Sequence, residues 1–247
     1  MSRNFLLATI AIALALLLAT FAAPFAAVTK LLLTALIIAV ALLVLAVKNL
    51  VFFLGIVVAR AKLRRSEMFA ALHERTAAVV MLGDSITHEG LWNEYFPEMN
   101  LRNRGIGGDT TEDILDRLPA IHPLQPRQLF LLIGVNDLNM GSGVDKLLAN
   151  YARILDELER HLPETEVFVQ SVLPVGSGWP LATNRDIVRV NAGLRALAER
   201  KELRYVDLHA AFSDERGELN ALYSNDGIHL GHIGYQLWCE IIRPQFR

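Results

Sequence analysis

Of the 247 residues only Cys239 is a cysteine, so the chain forms no disulfide with itself and offers no cysteine cluster for a metal. Acidic residues are missing from the first 65 positions, where seven of the 24 basic residues fall: Arg3, Lys30, Lys48, Arg60, Lys62, Arg64 and Arg65. The other 17 basic residues face 26 acidic ones, and that balance of −9 is concealed by the whole-chain charge of −2. An acidic region whose cations are scattered among acids argues against nucleic acid as a partner. Internal repeats and low-complexity linkers are absent after residue 66, which leaves 182 residues for one domain with a sizeable core.

What the first 65 residues do have is apolar length. Phe5 to Thr29 is 25 residues without a charge, Leu31 to Val47 is another 17, and Leu50 to Ala59 continues the pattern. A bilayer core takes roughly 20 apolar residues of helix, so the expectation is a membrane anchor over 1–65. Two transmembrane helices, about 5–28 and 31–58, would turn near Pro24 to Lys30. The competing reading of the first segment is a secretory signal peptide. It is disfavoured because the stretch exceeds the usual ~7–15 residue apolar region and lacks a clean cleavage site. Arg60, Lys62, Arg64 and Arg65 follow the second segment, and the positive-inside tendency then predicts that the domain after it lies on the cytoplasmic side of the cell membrane. A single crossing with the N-terminus inside would put that domain on the periplasmic or extracellular face instead.

Residues 66–247 alternate short apolar runs with helix-period segments. The runs are Ala77 to Leu82, a weaker Met99 to Asn103, Gln128 to Ile133, Glu166 to Leu173 and Leu203 to Leu208, each suited to a buried parallel strand. Val144 to Leu162 sets Leu147, Leu148, Tyr151, Ile154, Leu155 and Leu158 on one stripe, and 186–201 and 232–242 read similarly. The pattern predicts an α/β fold, a three-layer α/β/α sandwich with a parallel sheet, preceded by the helical hairpin. Ligands of such sheets gather beyond the C-terminal strand ends.

Four short stations follow, most of them at those ends. Gly83-Asp84-Ser85-Ile86 follows the first run, and Ser85 reads as a nucleophile or as a helix cap. It lacks the Gly-x-Ser-x-Gly pattern of the α/β-hydrolase elbow. Asn103-Arg104-Gly105-Ile106-Gly107-Gly108-Asp109-Thr110 fails as a dinucleotide loop, because Thr110 stands where the third glycine belongs. Its glycines serve either conformation or close approach of a backbone N–H to an oxyanion, and Asp109 and Thr110 would cap the next helix. Gly134-Val135-Asn136-Asp137 is a turn, or a presentation of the Asn136 amide to that same oxyanion. Asp226-Gly227-Ile228-His229 puts a carboxylate three residues before an imidazole, the pairing that fixes a general base for a serine. His88, three residues after Ser85, is a candidate to line the cleft; His209 and His232 read as structural.

Together, in this order, the stations resemble the SGNH, or GDSL-type, hydrolase superfamily over about residues 76–245. The second station, with Leu173-Pro174, Asn184 and Asn191, is most similar to its branch of platelet-activating-factor acetylhydrolase catalytic subunits. The resemblance implies Ser85 as nucleophile, His229 as base and Asp226 as its orienting partner. Ser85, Gly108 and Asn136 then match the oxyanion donors, and neither metal nor cofactor is implied. Val135 departs from the pattern, since many members carry Gly or Thr there, and its side chain is expected to narrow the cleft. The function expected is a membrane-anchored serine esterase, a lipase-like acylhydrolase whose ester substrate is a lipid or an acetylated small molecule, with membrane lipid as a partner. The alternatives are an acyltransferase to a sugar or lipid alcohol and a catalytically silent membrane adaptor.

Overall fold

The computed structural model describes residues 11–16, 18–19, 27–72 and 77–246. The chain divides into two compact units, Met1–Arg60 and Ala61–Arg247. In the first, residues 11–16 and 18–19 are helical, and a helix here called α1 runs from Ala27 to Ala71. From Thr29 onward it is long and apolar enough to cross a membrane.

Of the expected hairpin, the second span is the part the structure describes in full. Residues 27–30, assigned to its turn, are already helical, whereas Pro24 lies outside the described residues, as does most of the first span. Between Ala27 and Ala71 the sequence has no proline and a single glycine, Gly55, so nothing interrupts the backbone ladder. The division at Arg60 and Ala61 lies five residues before the boundary expected near residue 65, and α1 itself continues through the basic cluster.

In the second unit the strands are β1 (Val79–Gly83), β2 (Leu101–Gly105), β3 (Gln128–Leu132), β4 (Glu166–Gln170) and β5 (Arg204–Val206). All pair in parallel in the order β2-β1-β3-β4-β5. Every residue of β1 and β3 is buried, as the unbroken apolar runs require. The helices are α2 (Ser85–His88), α3 (Trp92–Tyr95), α4 (Thr111–Arg117), α5 (Val135–Asn139), α6 (Val144–His161), α7 (Asn184–Arg200), α8 (Leu208–Phe212) and α9 (His232–Ile242). Five expected strands and the longer helices are present within a few residues of their predicted bounds. Leu208 begins a helix where a strand was expected to end, because the Asp207 carboxylate accepts from the Ala210 N–H and caps α8.

Helices cover both faces of the sheet. On one, α4, α6 and α7 pack in sequence, and the Tyr151 hydroxyl of α6 donates to the Leu131 carbonyl. On the other, the Phe130 and Phe168 rings stack at 4.3 Å, and Trp238 of α9 donates to Gln170. Trp92 of α3 meets Trp238 edge-on at 4.8 Å. Cys239 is buried on α9, its thiol pushed up to about 12 by desolvation, which makes it unreactive. The strand order reverses between β1 and β3, the place where sheets of this kind take ligands beyond the strand ends.

Candidate active site

Ser85 is the first residue of α2, directly after β1. Its reading as a helix cap does not hold. Asp84 is the cap, and its carboxylate accepts the Ile86 N–H at 3.0 Å, which leaves the Ser85 hydroxyl free of that duty. That hydroxyl stands 3.1 Å from His229 Nε2, and His229 Nδ1 stands 2.7 Å from Asp226 Oδ2. A carboxylate can only accept, so Nδ1 carries the proton and Nε2 presents its lone pair to Ser85. Asp226 Oδ1 also accepts the backbone N–H groups of Ile228 and His229, at 3.0 and 2.8 Å. Desolvation pulls the Asp226 carboxyl upward, yet the hydrogen bonds from His229 and the two backbone donors outweigh it. The carboxyl therefore lies well below the usual carboxylate range. Ile228 and Leu230 are buried, and Gly176 N–H donates to the Gly227 carbonyl at 2.7 Å, so the turn is held from both sides.

The second station reaches Ser85 through close packing. Added to Gly105, a Cβ would fall 2.2 Å from the His88 backbone nitrogen, so only glycine lets β2 end against α2. Gly107 then lies beside Ser85, with 3.8 Å between its would-be Cβ and that of the serine. Gly108 has φ +78°, the left-handed conformation that turns the chain toward α4. Of the two residues expected to cap α4, Thr110 does so in a reciprocal box with Asp113. Asp109 is buried and pairs instead with Arg117 Nε at 2.7 Å, while Arg117 Nη2 donates to the Gly83 carbonyl.

Asn136 lies on α5, after β3. Its Nδ2 donates to the Asp109 carbonyl at 2.9 Å, which fixes the amide plane and leaves the second N–H for a ligand. Asp137 accepts the Thr111 N–H and hydroxyl, locking the β3 end to α4. Val135 is buried in the core, so the cleft is not narrowed by it as expected. Asp84 is fully buried; one of its oxygens has no partner among the described residues. Its carboxyl is pushed up to about 7, chiefly by desolvation, with the Ile86 N–H opposing and Asp109 and Asp137 adding repulsion.

The structure thus brings together Ser85, His229, Asp226, the Gly107-Gly108 turn and Asn136. His88 flanks that turn, its imidazole depressed by desolvation and then by Arg65. His209 bonds Ser213, and His232 bonds Tyr95, away from the relay. Sequence reasoning missed the Asp109–Arg117 pair, though a signal existed: Arg117 falls on the buried stripe of α4, three residues after Ile114. No group of three or more potential metal-ligating side chains occurs among the described residues.

Comparison with known proteins agrees with this arrangement. Platelet-activating factor acetylhydrolase IB subunit alpha1 of Bos taurus is 28% identical over 187 residues, covering 70% of this chain and 79% of that protein. A solved structure from Streptococcus pneumonia, provisionally described as a platelet activating factor, superposes with a TM-score of 0.76 at 26% identity, over 81% of this chain and 99% of that one. A GDSL-like lipase from Bacteroides thetaiotaomicron, at TM-score 0.65 and 24% identity over 74% of this chain and 95% of its own, shares the fold. Residues 81–237 match the GDSL-like Lipase/Acylhydrolase family, a span that holds every station described above. The chain belongs to that family and is a serine carboxylic ester hydrolase.

Proposed function

We propose that Ser85 is the nucleophile, His229 the general base and Asp226 the residue that orients it, in an anchored esterase acting without metal or cofactor. The observation that carries this is the continuous relay from Asp226 Oδ2 through His229 to Ser85 Oγ, with steps of 2.7 and 3.1 Å. As Ser85 Oγ attacks the ester carbonyl carbon, His229 Nε2 takes its proton. The oxyanion is met by the backbone N–H groups of Ser85 and Gly108 and by the free N–H of Asn136. Collapse expels the alcohol, which takes the proton from His229. Water then gives a proton to the same nitrogen as it attacks the acyl-serine; collapse breaks the bond to Ser85 Oγ, which takes that proton back from His229 as the acid leaves.

The relatives' naming for platelet-activating factor acetylhydrolase supports a short acyl group on a lipid-like alcohol as substrate. The apolar length of α1 supports attachment to membrane lipid over 1–65, ahead of the hydrolase domain 66–247. Arg60 and Arg64, both exposed at the end of that length, support a cytoplasmic domain. The test is a hydrolysis panel from acetyl to palmitoyl esters, run beside lysophospholipids and acetylated alkyl-phospholipids, with Ser85→Ala as blank. Cleavage and covalent labelling by an alkyl fluorophosphonate should both vanish in the blank. A Ser85→Ala protein that kept its label would overturn the assignment.

A further inference from the structure

The last turns of α1, within the same compact unit as the hydrolase domain, end on the turn that carries Gly107 and Gly108. Lys62, Arg65, Ser66 and Phe69 are its partly buried residues, at the i, i+3, i+4, i+7 spacing of one helix face, while Ala61, Leu63, Arg64, Glu67, Met68 and Ala70 are exposed. Lys62 Nζ donates to the Gly108 carbonyl at 3.1 Å and to Asp113 Oδ2 at 2.7 Å, and lies 3.4 Å from Asp109 Oδ1. Two of the three ammonium donors are thus spent on hydrogen bonds, and the charge is shared with the Asp109 carboxylate. One helical turn on, Arg65 Nε donates to the Gly105 carbonyl at 3.0 Å. Phe69 lies under both Arg65 and Arg104, at 5.0 and 4.6 Å from ring centre to guanidinium carbon. The two cations therefore hold the two ends of the Gly105 to Gly108 turn.

We propose that Lys62 and Arg65 are positioning residues for ester hydrolysis: from α1 they hold the Gly108 and Gly105 carbonyls, whose peptides lie on either side of the one that presents the Gly108 N–H to the oxyanion. This rests on the reading of Gly108 as an oxyanion donor. Ordinary surface ion pairs contribute little, but this one differs in its partners. Lys62 holds a backbone carbonyl of the turn itself, and its neighbour Asp109 is buried and already shared with Arg117. The Asp109 carbonyl, in turn, is what orients the Asn136 amide. One lysine thus touches the supports of two of the three donors. In the free turn Gly108 has a glycine's conformational range, and a donor displaced by about 1 Å costs up to about a hundredfold in rate.

The experiment uses the full-length chain in detergent micelles, with p-nitrophenyl acetate as substrate and an alkyl trifluoromethyl ketone as probe, since the ketone binds by forming an oxyanion on the nucleophile. Lys62→Met and Arg65→Met should each lower kcat by about tenfold or more while KM moves less than twofold. The inhibition constant of the ketone should rise in the same proportion as kcat/KM falls. Lys62→Arg, which keeps charge and donors, should recover most of the rate. Lys201→Met, which removes an exposed pair with Asp156 and Glu159, should match the parent chain. Should Lys62→Met fail to fold, Lys62→Gln takes its place and is judged by the same ratios. Parent-like kcat and ketone affinity in the Lys62 and Arg65 variants would overturn the inference alone. A parent chain inert toward esters, or a Ser85→Ala chain that still cleaves them, would overturn the mechanism beneath it.

Discussion

Asp84→Asn isolates the buried carboxyl beside the nucleophile. In the folded chain this group titrates at about 7 against an ordinary 3.8, because burial penalises its charged form. That difference corresponds to about 4 kcal/mol. The sign follows from proton counting: between about pH 4 and pH 7 the folded state keeps a proton that the unfolded chain has lost, so stability falls as pH rises. The loss is complete above about pH 7 and absent below about pH 4. Asparagine keeps an oxygen for the Ile86 N–H and has no charge to bury, so this pH dependence disappears from the variant. The stability of Asp84→Asn relative to the parent should therefore climb by about 4 kcal/mol from pH 4 to pH 8. Groups that do not interact with Asp84, Asp226 among them, lose or gain the same amount in both chains and cancel, and burial remains the largest cause of the Asp84 shift. All three tryptophans, Trp92, Trp179 and Trp238, lie in the hydrolase domain, so urea unfolding followed by their fluorescence at a series of pH values reads the difference. A parent-to-variant difference that stays flat across that range would refute the argument that the carboxyl is neutral when buried.

Asn136→Ala should fold and keep its KM but lose on the order of 10²–10³ in kcat for acetyl esters, the cost of one oxyanion donor. A loss below tenfold in steady-state assays would make Asn136 a turn residue only. For orientation, Glu215→Cys puts a thiol on an exposed loop in a chain whose native Cys239 is buried. In intact cells an impermeant maleimide should leave it unmodified until the membrane is opened, and labelling from outside would reverse the proposed side.

Most of this architecture is legible in the sequence because a parallel sheet buried on both faces leaves no alternative to unbroken apolar runs, as in Val79 to Leu82 and Leu129 to Leu132. The stations were legible for a different reason: residues 83–86, 105–110, 134–137 and 226–229 are each short in sequence and each follow such a run or a glycine turn. What was hidden depends on distant partners. Asp84 displaces Ser85 as a cap only because the strand ends one residue earlier than a cap at Ser85 would need. Asp109 leaves the cap to Thr110 because Arg117, eight residues on, claims its carboxylate. Lys62 and Arg65 read as charges placed by the membrane, and nothing within the first 65 residues reveals that Gly108 and Gly105 are their acceptors. Of the expected hairpin, Pro24 and most of the first span lie outside the described residues, and from Ala27 onward α1 is unbroken because no proline interrupts its ladder.

Ser85 and His229, proposed as nucleophile and base, are held by parts of very different resistance to opening. Ser85 follows β1, which is fully buried and paired on both sides, so its amides exchange with solvent only when the domain unfolds. His229 sits on a turn fixed by its own Asp226 and Ser224 bonds and by one backbone bond to Gly176. Hydrogen exchange over 224–230 should accordingly proceed through a local opening far cheaper than global unfolding. In that opened state the serine stays in place with no base, a chemically silent form of an otherwise folded enzyme, and an acyl group trapped on Ser85 would outlive the turn that put it there.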